Sequence, residues 1–299
     1  MTGIAAYEVA KEKHLPCLYI NTPNEEVVSL VKDVDKAVEN LFDMSIRDYM
    51  LTQQRQRKKA DEANKLYKDT VEKWNHIATL LALSPLTSSF IKVMRDKKVN
   101  DDIPFTSNFM STSTFVQELE SLGAIRIKRS EAKETTCSFT SNFYAKFIGK
   151  GDWLEMYVWS KVNEMTFASD CQWGYEMEST ANNELNVVST HKAQPIFNEL
   201  DVVLTYKAQL IFAECKTESE PFHGKIHHLN DINTKAAMLG GAFVTKLFIT
   251  SEPSSRNSDY SNFKEQAHLR KIVVATQEDL PTIGEILKRE AITPTYPRI

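Results

Sequence analysis

Apolar and polar positions alternate most regularly over residues 198–217, NELDVVLTYKAQLIFAECKT. Two runs of period two are separated by Tyr206, Lys207 and Ala208, and both runs are rich in β-branched and aromatic residues. Side chains two positions apart lie on one face of a strand, and these residue types favour strands. The pattern therefore predicts two strands joined by a short turn, which is a β-hairpin.

Charged side chains lie inside this apolar hairpin. Asp201 is in the first predicted strand, while Glu214 and Lys216 are two residues apart in the second, so they share a face and Cys215 points to the other. Strand pairing brings Asp201 within cross-strand distance of them. Buried charges need a partner or a metal ion, and carboxylates suit Mg²⁺ or Mn²⁺. We therefore predict a metal site with Asp201, Glu214 and the backbone carbonyl of Cys215 as ligands, and with Lys216 beside it.

A further acid precedes the hairpin in the segment 149–159. Gly151 and Asp152 predict a loop and the start of a helix, and the apolar residues after them have helical spacing. Glu155 lies in the first turns of this helix, beside its apolar stripe. We interpret Glu155 as the acid that completes the site, holding a second ion or the water around the first.

Both features also have plainer explanations. Glu214 and Lys216 would be a solvated ion pair on an edge strand, and Glu155 would complement the helix dipole. The apolar residues on both sides of the ExK triplet, and the combination of this helix with this hairpin, favour a site.

Four segments together resemble the nuclease domain of the CRISPR-associated ancillary nucleases: GDWLE, NELDVV, AECKT and the stretch LNDINTKAAMLGGAFVTKLFITS. Asp201, Glu214 and Lys216 match the PD-(D/E)xK signature of that domain, with Leu200 in place of the proline. The resemblance implies metal-dependent cutting of DNA or RNA. It also implies a homodimer switched on when a cyclic oligoadenylate binds a Rossmann-like sensor, the CARF domain.

The resemblance and the patterns together predict a mixed α/β protein in three parts. Residues 1–50 are expected to be a partial, truncated CARF-like unit, in which a helix precedes the strand of residues 15–20 in a parallel sheet. An αβ fragment of some other fold is the alternative, since only Thr2 and Gly3 remain where the sensor family has its ligand-binding loop. Residues 148–299 are expected to form a restriction-endonuclease-like core.

The middle part, residues 51–147, is expected to be a helical linker that ends in a winged-helix-like unit. A helix terminated by Gly123 precedes two alternating runs that predict a two-stranded wing with a basic edge. Residues 53–73 are polar, and their basic cluster, which includes Arg55 and Arg57, is interpreted as a solvated helix face. Lys235, on the helix predicted after the ExK triplet, is a candidate to bind the scissile phosphate.

Composition limits the class of protein further. The chain has 299 residues, of which 42% are hydrophobic and 25% charged, as in ordinary globular proteins. Its net charge of −4 means that nucleic acid would have to bind through local basic patches or metal ions. The four cysteines show no CxxC or Cys/His pairing, which argues against zinc and for a reducing compartment. With no apolar run of membrane-spanning length, we expect a cytoplasmic protein without a membrane partner.

Two other functions remain open from the residues alone. The chain would be a nucleic-acid-binding or regulatory protein if a nuclease-like fold had lost its chemistry. It would be a DNA endonuclease of a restriction or transposition system if no cyclic nucleotide were involved.

Overall fold

The computed structural model describes residues 18–21, 26–29, 44–52, 55–57, 71–106, 113–131, 134–179, 199–207, 209–217, 222–239, 244–256 and 259–296. Its strands are β1 (Leu18–Asn21), β2 (Glu26–Ser29), β3 (Arg55–Arg57), β4 (Ile103–Thr106), β5 (Ile125–Glu131), β6 (Glu134–Phe139), β7 (Asp170–Ser179), β8 (Glu199–Tyr206), β9 (Gln209–Lys216), β10 (Thr245–Thr250) and β11 (Ile272–Ala275). Its helices are α1 (Ile46–Thr52), α2 (Val71–Leu83), α3 (Thr87–Met94), α4 (Ser113–Ser121), α5 (Asn142–Gly149), α6 (Asp152–Met165), α7 (Ile226–Leu239), α8 (Tyr260–Leu269) and α9 (Ile283–Ile292).

A six-stranded mixed sheet in the order β11–β10–β9–β8–β7–β3 forms the centre of the fold. The predicted hairpin is confirmed as β8 and β9, which turn at Lys207 with a left-handed φ of 45°. Strand β10 runs parallel to β9, and β11 runs parallel to β10. Parallel neighbours need a crossover connection, which α7 supplies between β9 and β10. The mixed α/β class predicted from the sequence is confirmed.

Helices cover both faces of this sheet. Helix α6 packs on one face together with α2 and α9, while α7, α8 and α1 pack on the other. Six consecutive residues are therefore buried in each of β8 and β9. This double cover explains why the hairpin is apolar at nearly every position, since a strand with two buried faces has no solvent side.

The three-stranded sheet β4–β6–β5 and α4 lie where the sequence predicts a winged-helix-like unit. Strands β5 and β6 correspond to the predicted two-stranded wing, and β4, which the sequence did not predict, pairs with the other edge of β6. Gly123 ends α4 with a φ of 67°, and Ala124 donates its N–H back to the carbonyl of Leu119. Phe105 and Phe115 of this unit, together with Phe90 of α3, belong to the same hydrophobic core as α6. The unit is therefore packed into the main core.

The prediction that Arg55 and Arg57 lie on a helix is wrong. They lie in β3, which pairs antiparallel with β7 at the edge of the six-stranded sheet. The open edge of β7 offers backbone groups that need partners, and this non-local requirement outweighs the local polar pattern. Helix α1, just before β3 in the chain, packs on a face of this sheet: the N–H of Ile46 donates to the Asp170 carboxylate of β7 at 3.0 Å, and the Ile46 side chain is fully buried.

The N-terminal segment differs from a parallel unit where the structure describes it. Strands β1 and β2 pair antiparallel, from Leu18↔Ser29 to Asn21↔Glu26. A link of residues 22–25 is too short for the crossover that parallel strands require, so antiparallel pairing follows. The helix predicted before β1 lies outside the described residues.

No single helix in the described part of the chain is long and apolar enough to span a membrane. Helices α2 and α3 reach that length and hydrophobicity only as a pair, which is bent by 114°. Their apolar residues, including Trp74, Ile77 and Phe90, are buried in the protein core.

Candidate active site

The predicted site residues meet where β8 and β9 separate. The strands pair from Tyr206↔Gln209 to Val202↔Ala213, which is the last described pair of the ladder. Beyond it, the N–H of Cys215 donates to Oδ2 of Asp201 at 2.8 Å. A buried N–H needs an acceptor, so the Asp201 carboxylate replaces the ladder bond that the separation removes. This bond holds the carboxylate at the strand ends.

Lys216 links the two acids of the hairpin. Its Nζ lies 3.1 Å from Oδ2 of Asp201 and 2.7 Å from Oε1 of Glu214. The structure thus brings Asp201, Glu214 and Lys216 together as the strand spacing predicts. The side chain of Cys215 points the other way, into the core on the α6 face.

Lys235 of α7 completes a row of alternating charges. Its Nζ lies 2.6 Å from Oε2 of Glu214, so each carboxylate oxygen of Glu214 has an ammonium group beside it. The side chain of Lys235 is only 7% exposed. This position favours a role as the counter-ion of Glu214 over direct contact with a phosphate.

Burial and pairing set the charge state of this row. Burial raises the pKa of Asp201, and the Glu214 carboxylate raises it further against the opposing effect of Lys216. Burial also raises the pKa of Glu214, but Lys216 and Lys235 outweigh burial and hold that pKa below its ordinary value. Burial lowers the pKa of Lys216, yet the two carboxylates outweigh it and leave the pKa raised. Lys216 is therefore an ammonium at neutral pH and acts as a hydrogen-bond donor and positive charge, not as a base.

Glu155 approaches the row from the helix layer on the other face of the sheet. Its α6 begins after Gly151, as predicted, and its carboxylate forms no hydrogen bond or ion pair with any residue that the structure describes. Burial raises the pKa of Glu155 well above its ordinary value, and the carboxylates of Asp201 and Asp152 raise it further. Glu155 therefore lies within electrostatic reach of Asp201, at an energetic cost to the folded protein.

We expect Glu155→Gln to raise the stability of the folded protein. An acid whose folded-state pKa is raised destabilises the fold at every pH at which the unfolded chain carries it as a carboxylate. The variant should therefore unfold about 2–4 °C higher at neutral pH, for a gain of about 1 kcal/mol. This advantage should vanish below the ordinary pKa of 4.5, where both proteins carry a neutral side chain. Thermal melts across pH in EDTA test this. An equal or lower melting temperature at neutral pH would contradict the burial of this charge.

Two further acids near the site escaped the sequence interpretation. Asp152 begins α6, and Glu199 precedes Asp201 by two positions, a spacing that signals a shared strand face. Burial raises the pKa of both, and the Asp201 carboxylate is the next cause for Glu199. Lys146 lies 3.3 Å from Asp152 and lowers the pKa of both acids, without outweighing burial.

A close backbone approach fixes the helix that carries Glu155 against the strand that carries Lys216. Gly151 has a φ of 101°, and a Cβ at this position would overlap the side chain of Thr217, the residue after Lys216. The guanidinium of Arg95 donates to the carbonyl of Thr217 at 3.2 Å. Glycine at position 151 therefore allows both the left-handed turn and the contact.

The residue types present suit a hard divalent cation. Two buried carboxylates, Asp201 and Glu214, adjoin the Cys215 peptide, and carboxylate and carbonyl oxygens are the donors that Mg²⁺ and Mn²⁺ prefer. Across the described ranges, no three His, Cys, Asp or Glu side chains are close enough to form a ligand cluster. Glu155 does not join the other two acids in such a cluster, and its role as a ligand stays a prediction.

Comparisons with known proteins identify the family of the domain that contains this site. Residues 142–293, just over half of the chain, match the family model described as the Card1-like endonuclease domain. That match contains α6, the hairpin and α7, with Glu155, Asp201, Glu214, Lys216 and Lys235. No curated protein matches the chain.

Solved structures share the fold over nearly the whole chain. Protein VC1899 from Vibrio cholerae is 16% identical, with a TM-score of 0.66 over 98% of this chain and 73% of that chain. Can2 from Sulfobacillus thermosulfidooxidans, solved in complex with cyclic tetra-adenylate, is 19% identical, with a TM-score of 0.51 over 95% of this chain and 71% of that chain. At these low identities the structural similarity shows a common fold only, whereas the family match spans the range that contains the candidate site residues. The chain belongs to the Card1-like endonuclease domain family, as its resemblance to the CRISPR-associated nucleases indicates.

Proposed function

We propose that this protein is a metal-dependent nuclease that hydrolyses phosphodiester bonds of DNA or RNA. The observation that carries the proposal is the largely buried row of Asp201, Lys216, Glu214 and Lys235 at the separated ends of β8 and β9. Buried charges at this density cost folding energy, and sites that retain such costs are commonly functional. The row lies inside the endonuclease domain of the chain.

Asp201, Glu214 and the Cys215 carbonyl would hold Mg²⁺ or Mn²⁺. When bound, such an ion supplies a water nucleophile at neutral pH and neutralises charge on the phosphate. Lys216, held as a cation by both acids, would orient the water and stabilise negative charge that develops on the phosphate. Lys235 would keep Glu214 ionised and ready to bind. Glu155, whose carboxylate has no hydrogen-bonding partner among the described residues, would hold the surrounding water or a second ion.

We also propose that the protein acts in CRISPR-linked antiviral defence as a homodimer activated by a cyclic oligoadenylate. The support is the Card1-like family match, together with the fold shared with Can2, which was solved with cyclic tetra-adenylate. The activator would bind outside the endonuclease domain, and a homodimer would present two identical copies of the cutting site.

The test is cleavage of labelled single-stranded and plasmid substrates, of both DNA and RNA, in Mn²⁺, Mg²⁺ or EDTA. We expect cutting in Mn²⁺ or Mg²⁺, its loss in EDTA and its return when excess metal is added, because the acids alone cannot supply the nucleophile. Each reaction is run with and without cyclic tetra-adenylate.

The outcomes separate the proposals. Cutting that requires cyclic tetra-adenylate supports both the nuclease and the switch. Cutting without it keeps the nuclease and favours an endonuclease of the restriction or transposition kind. Absence of cutting under every condition would overturn the nuclease and favour a binding or regulatory protein.

A further inference from the structure

Two helix ends meet beside the candidate site, and each carries lysines. Helix α3 ends at Met94, whose carbonyl oxygen is 3.3 Å from where a Cβ on Gly149, the last residue of α5, would lie. The residues that follow these helices are therefore neighbours in space although more than fifty positions apart in sequence. We call the cations at these two ends the cationic rim: Arg95, Lys97, Lys98, Lys146 and Lys150.

The rim adjoins the site directly. Arg95 donates to the carbonyl of Thr217, the residue after Lys216. Lys146 and Lys150 both lower the pKa of Asp152, so their charges reach the acids around Glu155. The rim therefore lies beside the start of α6 and the end of β9.

Three of the five cations of the rim are exposed and without an ion-pair partner among the described residues. Lys97, Lys98 and Lys150 are exposed, and none of them forms an ion pair with a residue that the structure describes. Asp96 is the one acid in residues 92–98, KVMRDKK, against four cations. A polyanion that neutralises such lysines releases its condensed counterions, which is the main source of sequence-independent nucleic-acid affinity.

We propose that the cationic rim binds the sugar–phosphate backbone of the nucleic-acid substrate and leads the strand to the site. In a protein with a net charge of −4, this local patch supplies the attraction that the whole chain does not. The inference rests on the proposed function for its substrate. It adds a division of roles. The rim, supplied by the helix ends at residues 95–98 and 146–150, binds the nucleic-acid backbone, whereas the site residues on β8 and β9 hydrolyse the phosphodiester bond.

The test is binding in EDTA, where metal-dependent cutting is absent. Fluorescence anisotropy of labelled single-stranded DNA and RNA of one sequence is compared for the unmodified protein and Lys97→Glu/Lys150→Glu. We expect the double variant to weaken binding roughly tenfold or more, and to lower the slope of log affinity against log salt by about 1.4, which corresponds to two lost phosphate contacts. DNA and RNA both carry the phosphate backbone that the rim would bind. The ratio of the two measured affinities shows which of them the rim prefers.

A matched control reverses the same number of charges elsewhere. Lys264 on α8 and Lys288 on α9 are exposed, and neither helix carries a site or rim residue. Lys264→Glu/Lys288→Glu should bind as the unmodified protein does, and circular dichroism should show both variants folded.

Equal affinity in the rim variant, or absence of binding by the unmodified protein, would overturn the proposal. Binding that requires the rim in a protein that never cuts would support the rim and overturn the nuclease, so the two can fail separately.

Discussion

Asp201→Asn should reduce cutting at least about a hundredfold, which corresponds to ~2.7 kcal/mol of lost transition-state stabilisation. The amide is the same size as the carboxylate, and its oxygen can still accept the Cys215 N–H that the carboxylate accepts at 2.8 Å. The fold should therefore remain while the negative charge that would hold the cation is lost. Initial cleavage rates in Mn²⁺, measured beside thermal melts in EDTA, test this.

The matched control is Glu176→Gln on the neighbouring strand β7. Glu176 is exposed, and its substitution removes the same charge outside the row. The cleavage rate of the Glu176→Gln variant should therefore stay within about a factor of two of the unmodified rate. If Asp201→Asn cuts as fast as Glu176→Gln, the assignment of Asp201 is wrong. Lys216→Ala should behave as Asp201→Asn does, because it removes the cation shared by both acids.

Lys235→Met should lower the free energy of unfolding by about 2–4 kcal/mol, because it leaves a buried carboxylate with only one of its two counter-ions. Glu214 is 5% exposed, so water cannot replace the lost ammonium. The loss should shrink as the pH falls below the ordinary pKa of 4.5 toward the lowered pKa that Glu214 has in the folded unmodified protein, because protonation of Glu214 removes the stabilisation that Lys235 provides. Chemical unfolding monitored by circular dichroism, at neutral and acid pH, measures both effects.

A double-mutant cycle separates pairing from packing. Glu214→Gln/Lys235→Met should be more stable than the sum of the two single losses predicts, by about 1 kcal/mol or more, because the pair is removed together. Lys288→Met, at an exposed position on α9, should leave stability within about 0.5 kcal/mol. Additive losses in the cycle would show that Lys235 stabilises the fold by packing and not by its charge.

Local patterns were sufficient for much of the site. The period-two runs around Lys207 predict β8 and β9, and the two-residue spacing of Glu214 and Lys216 predicts that both reach one face. The loop at Gly151 predicts the start of α6 and so the position of Glu155. These features depend on backbone geometry within a few residues, which propensity and periodicity describe well.

Other features depend on contacts that the local pattern does not contain. The strand at Arg55–Arg57 forms because the edge of β7 needs a partner, and the polar sequence around it predicts a helix. The antiparallel pairing of β1 and β2 likewise depends on the length of the link between them.

The sequence by itself determined the mixed α/β class, the hairpin, and the acids and lysine that the hairpin carries. Tertiary structure alone decided that Lys235, twenty-one residues after Glu214, is its counter-ion and that Arg95 reaches Thr217 across 122 positions. The physical reason is that side chains within one strand or turn are placed by local dihedral angles, whereas the partners of a buried charge are chosen when separate elements pack and every buried charge must be compensated.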